Sequence, residues 1–302
     1  MKKDLTKMRD LTKAEIRDIL YLADEMKAEL KSGKEHHVLK GKTLAMIFQK
    51  ASTRTRVSFE VGMYQLGGHA LYLSANDLQM GRGEPIEDTA RTLSRYVDGI
   101  MIRTFAQEEV ENLALYSSVP VINGLTDYAH PCQVLADLMT IRERKGKLDG
   151  VNLSYIGDGN NMCNSLIVGC LTCGMNVSVA VPEGYDPHPA VLDFAKDYPQ
   201  AFKLLRKPPE AVKDADVVVT DVWASMGQEA EAQARKEAFA GYQINKELMS
   251  AAKNDAIVLH CLPAKRGQEI TADIFEAHAE TIFTEAENRL HAQKAVLTLL
   301  MK

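Results

Sequence analysis

Residues 151–182 read VNLSYIGDGNNMCNSLIVGCLTCGMNVSVAVP, two short apolar runs separated by a polar loop and a longer apolar segment. The runs at 151–158 and 176–182 have the length of buried strands, and the segment between them is long enough for a helix. A strand, a helix and a second strand in this order predict two parallel strands joined by a right-handed crossover. Cys170 and Cys173 fall in this helix and are interpreted as packing residues, since no second cysteine pair or nearby histidine lies at metal-ligand spacing.

The same alternation of strand and helix patterns extends along the whole chain. Further strands are predicted at 43–48, 69–74, 99–105, 119–124, 215–223 and 256–263, and helical periodicity at 12–30, 57–66, 86–96 and 133–143. The sequence therefore predicts an α/β protein with two domains, each a parallel sheet flanked by helices on both faces. The polar stretch RERKGKLDG sets the domain boundary, which gives 1–145 and 146–287, and a C-terminal helix at about 288–302 is expected to rejoin the first domain.

The composition is that of an ordinary folded protein. Of 302 residues, 46% are hydrophobic and 25% are charged, which excludes a disordered or collagen-like chain. A formal net charge of -5 and a pI near 5.9 argue against a protein that coats nucleic acid or a membrane surface. The longest uncharged run, 159–182, contains several asparagines, and the N-terminus has no apolar signal core, so we expect no membrane span and no targeting segment. Five cysteines without a disulfide-like pattern favour reduced thiols and a cytoplasmic protein.

Side chains suited to chemistry follow the predicted strands, where ligands bind in open parallel sheets. STRTR at 52–56 lies between the strand 43–48 and a helix, so hydroxyl, guanidinium and backbone N–H groups gather at a helix N-terminus. The motif predicts a site for phosphate or a similar oxyanion, with a simple helix cap as the alternative. Arg103 ends a predicted strand and would add a cation at this edge, or else form a surface salt bridge.

Three further motifs carry polar side chains at strand ends. In HPCQ at 130–133, an imidazole and an amide can donate hydrogen bonds to a developing oxyanion, although a lone histidine is more often structural. In DVWASMG at 221–227, Asp221 offers a carboxylate to an ammonium group, and the hydroxyl and N–H groups that follow can hold a carboxylate. HCLP at 260–263 places the Cys261 thiol at the same edge, with a structural cysteine as the alternative.

The turn GDGNN at 157–161 matches a dinucleotide-binding turn only in part. Met162 stands where the third glycine of G-x-G-x-x-G belongs, and Pro182 ends the next strand where an acidic residue is needed. The segment therefore favours a polar, asparagine-lined ligand loop over NAD binding.

STRTR, HPCQ, DVWASMG and HCLP, in this order and at these separations, resemble the motifs of the transcarbamoylase family, and SMG with HCLP resembles its ornithine branch. The likeness extends from DLT near the start to ENRLHAQKAV near the end; one departure is QKA before STRTR, where relatives carry Glu-Lys-Pro or Glu-Lys-Ser. It implies a carbamoyl-phosphate domain, an ornithine domain and a cleft between them. It also implies an enzyme that carbamoylates the δ-amine of L-ornithine, giving L-citrulline and phosphate, without a metal or other cofactor.

The resemblance implies roles for individual residues as well. For carbamoyl phosphate it implies Ser52, Thr53, Arg54, Thr55, Gln79, Arg103, His130, Pro131, Cys132, Gln133, Cys261, Leu262 and Arg289. For ornithine it implies Asn161, Asp221, Ser225 and Met226. Among these, Arg54, Arg103, His130 and Cys261 are expected to be catalytic. Gln79 is expected to reach the phosphate site of a neighbouring subunit, which implies a homotrimer or an assembly of trimers.

Two other functions stay open at this point. A carbamoyltransferase acting on putrescine or on an acylated ornithine would share the first domain, and the SMG segment favours ornithine because putrescine has no α-carboxylate. A non-catalytic nucleotide-binding protein is the alternative of a different class, and the interrupted glycine pattern disfavours it.

Overall fold

The computed structural model describes residues 4–224 and 229–302, which form two compact units, each built on a parallel sheet. The first unit comprises Met1–Ala136 and Glu287–Lys302, and the second comprises Asp137–Ala286. The predicted fold class, an α/β protein with two parallel sheets flanked by helices, is confirmed.

The first unit contains a four-stranded sheet in the order β2-β1-β3-β4. Its elements are α1 (Lys13–Lys31), β1 (Thr43–Phe48), α2 (Thr53–Gln65), β2 (His69–Ser74), α3 (Ile86–Leu93), β3 (Gly99–Arg103), α4 (Gln107–Tyr116), β4 (Val121–Leu125) and the first part of α5 (Pro131–Lys145). All strand pairs are parallel, with Thr43 opposite His69 and Leu44 opposite Gly99. The chain moves from β1 to β2 on one side and then to β3 on the other, so the switch point lies at the carboxyl ends of β1 and β3.

Local sequence explains the first helix and the central strands of this unit. Thr12 caps α1, since its hydroxyl accepts a hydrogen bond from the Glu15 N–H at 3.2 Å and the Glu15 carboxylate accepts one from the Thr12 N–H at 2.8 Å. The apolar residues of α1 recur at helical spacing and are buried, including Ile16, Ile19 and Ala23. Strand β3 is buried along its whole length, as expected for a parallel strand covered on both faces.

The second unit contains a five-stranded sheet in the order β7-β6-β5-β8-β9. Its elements are the rest of α5 from Asp137, β5 (Asn152–Ile156), α6 (Asn161–Thr172), β6 (Asn176–Ala180), α7 (Pro189–Ala195), β7 (Phe202–Leu205), α8 (Pro208–Val212), β8 (Val217–Thr220), α9 (Ala232–Ala238), α10 (Lys246–Met249), β9 (Ile257–His260), α11 (Ala272–Ala277) and the start of α12 (Ala279–Met301). The rest of α12, from Glu287, belongs to the first unit. The chain runs outward from β5 to β7 and returns to β8 beside β5. The switch point of this sheet therefore lies between β5 and β8.

The core of the second unit explains the uncharged stretch in the sequence. Every residue from Met162 to Leu171 in α6 is buried, so this largely apolar helix is covered around its whole circumference rather than on one face. Cys170 and Cys173 are both buried and free, which agrees with a packing role. Within residues 4–224 and 229–302, no helix combines the length and apolar character that a bilayer crossing requires.

The predicted strands differ from the observed ones mainly at their carboxyl ends. β1 and β2 match the predictions 43–48 and 69–74 residue for residue. The prediction 215–223 is too long, because β8 ends at Thr220 and the residues after it form a loop. β7 has no counterpart among the predicted strands, since its four residues, FKLL, are too few to show a clear period.

Candidate active site

The STRTR motif of the first unit, predicted to bind phosphate, occupies the start of α2, four residues after β1 ends. The helix begins at Thr53, with Ser52 as its N-cap and its hydroxyl accepting from the Thr55 N–H at 3.2 Å. The prediction that a helix begins at residue 57 is therefore wrong, and Thr53, Arg54 and Thr55 belong to the first turn. The Thr55 N–H is taken by the cap, whereas the other backbone N–H groups of a first turn have no partner within the helix and can bind an anion.

Arg56, the last residue of that motif, is engaged away from the cap. Its Nε donates to Glu60 Oε1 at 3.0 Å, and its guanidinium lies 3.8 Å from the centre of the Tyr72 ring. Arg54 is the arginine of the motif whose positive charge helps to lower the pKa of the buried His130 imidazole.

Arg289 on α12 connects the two motifs of the first unit. Its Nη2 donates to Thr55 Oγ1 at 3.0 Å and its Nη1 donates to Gln133 Oε1 at 3.2 Å. All three side chains are buried, with Arg289 only 4% exposed. A buried guanidinium that holds a hydroxyl of one motif and an amide of the other brings both to a single cation.

His130 lies beside this cation in the segment between β4 and α5. Burial, together with the positive charges of Arg289, Arg103 and Arg54, holds the pKa of the His130 imidazole well below its usual value. His130 is therefore neutral at physiological pH. Arg103, the last residue of β3, is itself buried, so the alternative of a surface salt bridge for Arg103 is wrong.

The other predicted residues of the first unit have simpler surroundings. Pro131 is the first residue of α5, where proline is favoured because a first-turn N–H has no partner within the helix. The Cys132 thiol donates to the Asn123 carbonyl at 3.4 Å, and burial raises its pKa to about 12, so it is not reactive. Gln79 is exposed on a short 3-10 helix, Gln79–Arg82.

Asp221 is the centre of the polar side chains in the second unit. It directly follows β8 and accepts three hydrogen bonds: from the Val222 N–H at 2.8 Å, from Asn160 Nδ2 at 2.8 Å and from the Cys261 thiol at 3.1 Å. Burial and the neighbouring Asp221 carboxylate raise the pKa of the Cys261 thiol well above its usual value. Cys261 is therefore a protonated hydrogen-bond donor at neutral pH rather than a thiolate nucleophile.

The HCLP segment is fixed by the imidazole of His260. His260 Nδ1 accepts from the Leu262 N–H at 2.9 Å, so the proton resides on Nε2, which lies 3.1 Å from Glu269 Oε1. This contact accompanies a left-handed backbone at Leu262, with φ of 59°. His260 and Glu269 are both fully buried, so the segment that carries Cys261 and Leu262 has a rigid base.

Asp221, His260 and Cys261 also form a group of potential metal ligands, whose donor atoms lie within 4.8 Å of one another. The chemistry of this group does not suit a metal as it is arranged here. Both imidazole nitrogens of His260 are in hydrogen bonds, whereas a metal needs a free imidazole nitrogen.

Two asparagines lie at the N-terminus of α6, at the switch point between β5 and β8. Asn161, the predicted ornithine ligand, is the first residue of the helix and is half-buried. Its neighbour Asn160 caps the helix by accepting from the N–H groups of Met162 and Cys163, and it binds Asp221. Ser225 and Met226, the other predicted ornithine ligands, lie outside the described residues.

Asn160, Glu269 and Arg235 contribute contacts that the motifs did not indicate. Asparagine before an apolar helical run is a recognisable cap signal, which identifies Asn160 as a capping residue. No local pattern in the sequence marks Glu269 or Arg235, because their partners, His260 and Asp158, are brought to them by the folded chain.

Comparison with known proteins agrees with this arrangement of strands and motifs. Residues 3–143 match the family model described as the aspartate/ornithine carbamoyltransferase carbamoyl-P binding domain. Residues 149–300 match that of the Asp/Orn binding domain. The chain therefore belongs to the aspartate/ornithine carbamoyltransferase family, and the resemblance seen in its motifs is confirmed.

Several highly similar relatives are named ornithine carbamoyltransferase. The ornithine carbamoyltransferase of Thermococcus kodakarensis is 57% identical over 99% of this chain and 96% of the relative, and that of Carboxydothermus hydrogenoformans is 59% identical over 99% and 97%. The solved structure of ornithine carbamoyltransferase from Pyrococcus furiosus superposes with a TM-score of 0.94, at 56% identity over 99% of this chain and 96% of that chain. The anabolic enzyme from Campylobacter jejuni gives a TM-score of 0.93 at 45% identity, over 99% of each chain.

Proposed function

We propose that this chain transfers the carbamoyl group of carbamoyl phosphate to the δ-amine of L-ornithine, giving L-citrulline and phosphate, as a step of arginine metabolism. The observation that carries the proposal is the buried guanidinium of Arg289, which binds both Thr55 and Gln133 beside the neutral imidazole of His130. Relatives named ornithine carbamoyltransferase over nearly the full chain support the choice of ornithine.

Carbamoyl phosphate requires a site with positive charge and with hydrogen-bond donors that stabilise its phosphate leaving group. The phosphate is assigned to Ser52, Thr53, Arg54, Thr55 and Arg103, which combine first-turn N–H groups, hydroxyls and guanidinium groups. The carbamoyl group is assigned to His130, Gln133 and Arg289. A neutral imidazole can donate a hydrogen bond to the carbonyl oxygen as negative charge develops there, and the nearby guanidinium groups stabilise that charge.

The transfer itself is a substitution at the carbamoyl carbon. The amine nitrogen forms a bond to that carbon while the carbon–oxygen bond to phosphate breaks, and a proton leaves the nitrogen. Because carbamoyl phosphate is a mixed anhydride with a good leaving group, the protein mainly needs to position the amine and neutralise the phosphate. The δ-amine resembles that of lysine, with a pKa of about 10.4, so it must lose a proton before it attacks.

The second substrate is assigned to the Asp221 cluster of the other unit. The Asp221 carboxylate suits an ammonium group, and Cys261 and Leu262 at the end of β9 would line the reacting centre. Asn161, Ser225 and Met226 are assigned to the α-carboxylate of ornithine. The protonated Cys261 thiol orients the amine and the Asp221 carboxylate, and it does not act as a nucleophile.

The domain roles, assembly and compartment belong to the same proposal. Residues 1–145 with 288–302 would bind carbamoyl phosphate and 146–287 would bind ornithine, which the descriptions of the two matching family models support. A homotrimer is supported by the exposure of Gln79 and of the apolar side chains of Tyr64, Leu71 and Tyr72. Five free cysteines support a reducing compartment such as the cytoplasm.

The direct test follows the carbon of carbamoyl phosphate. When the wild-type protein is given L-ornithine and carbamoyl phosphate labelled with carbon-13, it should form labelled citrulline and phosphate in equal amounts. Arg54→Gly should abolish turnover while the fold is kept, and Arg17→Gly is the matched control, because it places the same glycine in a helix at an exposed residue of α1. Unchanged kcat in Arg54→Gly, or labelled product other than citrulline, would refute the proposal.

A further inference from the structure

Arg235 is a buried arginine on a short surface helix, α9. Its side chain is only 8% exposed, as is that of its partner Asp158. Its Nη1 donates to Asp158 Oδ2 at 2.7 Å and to the Trp223 carbonyl at 2.9 Å, and its Nε donates to Glu231 at 2.9 Å. Its guanidinium also lies 5.0 Å from the centre of the Tyr185 ring. These contacts through Nη1 and Nε hold the guanidinium in one place.

The two buried acceptors of Arg235 belong to the two loops of the switch point. Asp158 lies in the loop after β5, two residues before Asn160, and Trp223 lies in the loop after β8, two residues after Asp221. The same loops are joined a second time by the hydrogen bond from Asn160 to Asp221 at 2.8 Å. Arg235 and Asn160 therefore form two separate ties between the loops that carry Asn161 and Asp221.

The positive charge of Arg235 also acts on Asp158. Burial raises the pKa of Asp158 to about 6, with the nearby Asp221 acting in the same direction and the Arg235 guanidinium opposing both. Without Arg235, the Asp158 carboxylate would be a buried and uncompensated charge, with Asp221 and Glu231 as its acidic neighbours. The loop after β5 would then move, or the Asp158 carboxylate would take up a proton.

We propose that Arg235 is a positioning residue for the amine substrate: it fixes the spacing between the Asn160–Asn161 turn and Asp221, and so sets the affinity for ornithine without contacting it. This inference rests on the proposed function, in which those two loops bind ornithine. Lysine should replace it poorly, because one ammonium group does not reproduce the two-nitrogen contact with Asp158, Trp223 and Glu231.

The test compares the Michaelis constants of the two substrates in purified full-length variants. In Arg235→Met and Arg235→Lys, KM for ornithine should rise about ten- to a hundredfold, because small displacements of binding groups have effects of this size. KM for carbamoyl phosphate should stay within about twofold, as for substitutions away from a site. Lys253→Met is the matched control, since it removes an ion pair with Asp216 at the opposite end of β8 and should leave both constants within about twofold.

A double variant separates the positioning role from a general loss of structure. Adding Asp158→Asn to Arg235→Met removes the uncompensated carboxylate, so KM for ornithine should fall back part of the way toward the wild-type value. Equal rises in both Michaelis constants, or a loss confined to kcat, would overturn the role of Arg235. If wild-type protein forms no citrulline from ornithine, the proposed function itself fails, and the inference fails with it.

Discussion

His130 and Cys261 have protonation states set by their surroundings rather than by their ordinary chemistry. Burial and three neighbouring arginines keep the His130 imidazole neutral, and burial beside Asp221 keeps the Cys261 thiol protonated. Both side chains are therefore hydrogen-bond donors at neutral pH. This suits a reaction in which charge develops on the substrate and the protein stabilises it without forming a covalent bond.

The state of Cys261 can be tested by alkylation. Because its thiol pKa is raised well above its usual value, Cys261 should react with iodoacetamide at pH 8 at least about tenfold more slowly than free cysteine. Asp221→Asn removes the negative charge beside the sulfur, so the variant should react faster. Peptide-level mass spectrometry measures the rate at each cysteine, with the buried Cys132 as the internal control. Wild-type alkylation as fast as that of free cysteine would contradict the assignment.

Among the elements, strands were more predictable than the loops that follow them. β1 and β2 are apolar runs with clear limits, and their predicted bounds are correct. Beyond the carboxyl ends of β3 and β8, apolar residues such as Phe105, Val222 and Trp223 still occur after the ladder ends, so periodicity overextends the strands. β7 is too short for such a pattern, and the helices α9 to α11 are held by tertiary packing rather than by strong local periodicity.

The residues of the candidate site also differ in how well the sequence predicts them. Side chains at the ends of strands and in first helical turns, such as Arg54, Arg103 and Asp221, can be located from local pattern, because parallel strands direct their carboxyl ends to one edge. Arg289 was indicated only by family resemblance, since no local signal joins α12 to Thr55. Arg235 was not indicated at all, because its two buried acceptors, Asp158 and Trp223, are more than ten residues away in the chain.

A substitution of Gly159 tests how tightly the loop after β5 is packed. A Cβ at this position would lie 2.3 Å from the Asp186 carbonyl carbon and 2.4 Å from Pro187 N, both of them backbone atoms. Gly159→Ala should therefore destabilise the protein by about 1–3 kcal/mol, the usual cost of overpacking, and should raise KM for ornithine. Chemical denaturation and steady-state kinetics measure the two effects.

Gly62 in α2 provides the matched control for that substitution. A Cβ there would have its nearest neighbour at 3.4 Å, an ordinary contact, and alanine favours a helix interior over glycine. Gly62→Ala should leave stability unchanged or raise it by up to about 1 kcal/mol. If Gly159→Ala is as stable as Gly62→Ala and binds ornithine normally, the close packing around Gly159 contributes neither to stability nor to ornithine binding.

For the whole molecule, buried histidines should make stability depend on pH. Burial lowers the pKa of His291 to about 4, and that of His130 lies well below its usual value, whereas in the unfolded chain both are near 6.5. The unfolded state therefore binds more protons than the folded state between these pKa values. The contribution of the two neutral histidines to the free energy of unfolding is complete above about pH 6.5 and is lost as the pH falls toward 4. Asp158, with its pKa raised to about 6, acts in the opposite direction, because its folded form binds the proton more tightly.

His291→Gln should weaken that dependence. Removing one such histidine should reduce the slope of unfolding free energy against pH by up to about 1.4 kcal/mol per pH unit between about pH 6 and 5. Denaturant titrations at several pH values measure the slope. The control variant is His37→Gln, which makes the same substitution at an exposed histidine that pairs with Glu35. A slope unaffected by His291→Gln would show that His291 titrates alike in both states.

The central claim is that the chain carbamoylates ornithine, and one competition assay tests it most directly. Purified protein is given carbamoyl phosphate with equal concentrations of L-ornithine, putrescine and N-acetylornithine, and the products are identified by mass spectrometry. The account predicts citrulline as the dominant product, since the Asp221 cluster and the segment after it are assigned to an amino acid with a free ammonium group and a carboxylate. Carbamoylputrescine or acetylcitrulline as the main product would contradict the assignment of the second unit, and no product at all would contradict the proposed activity.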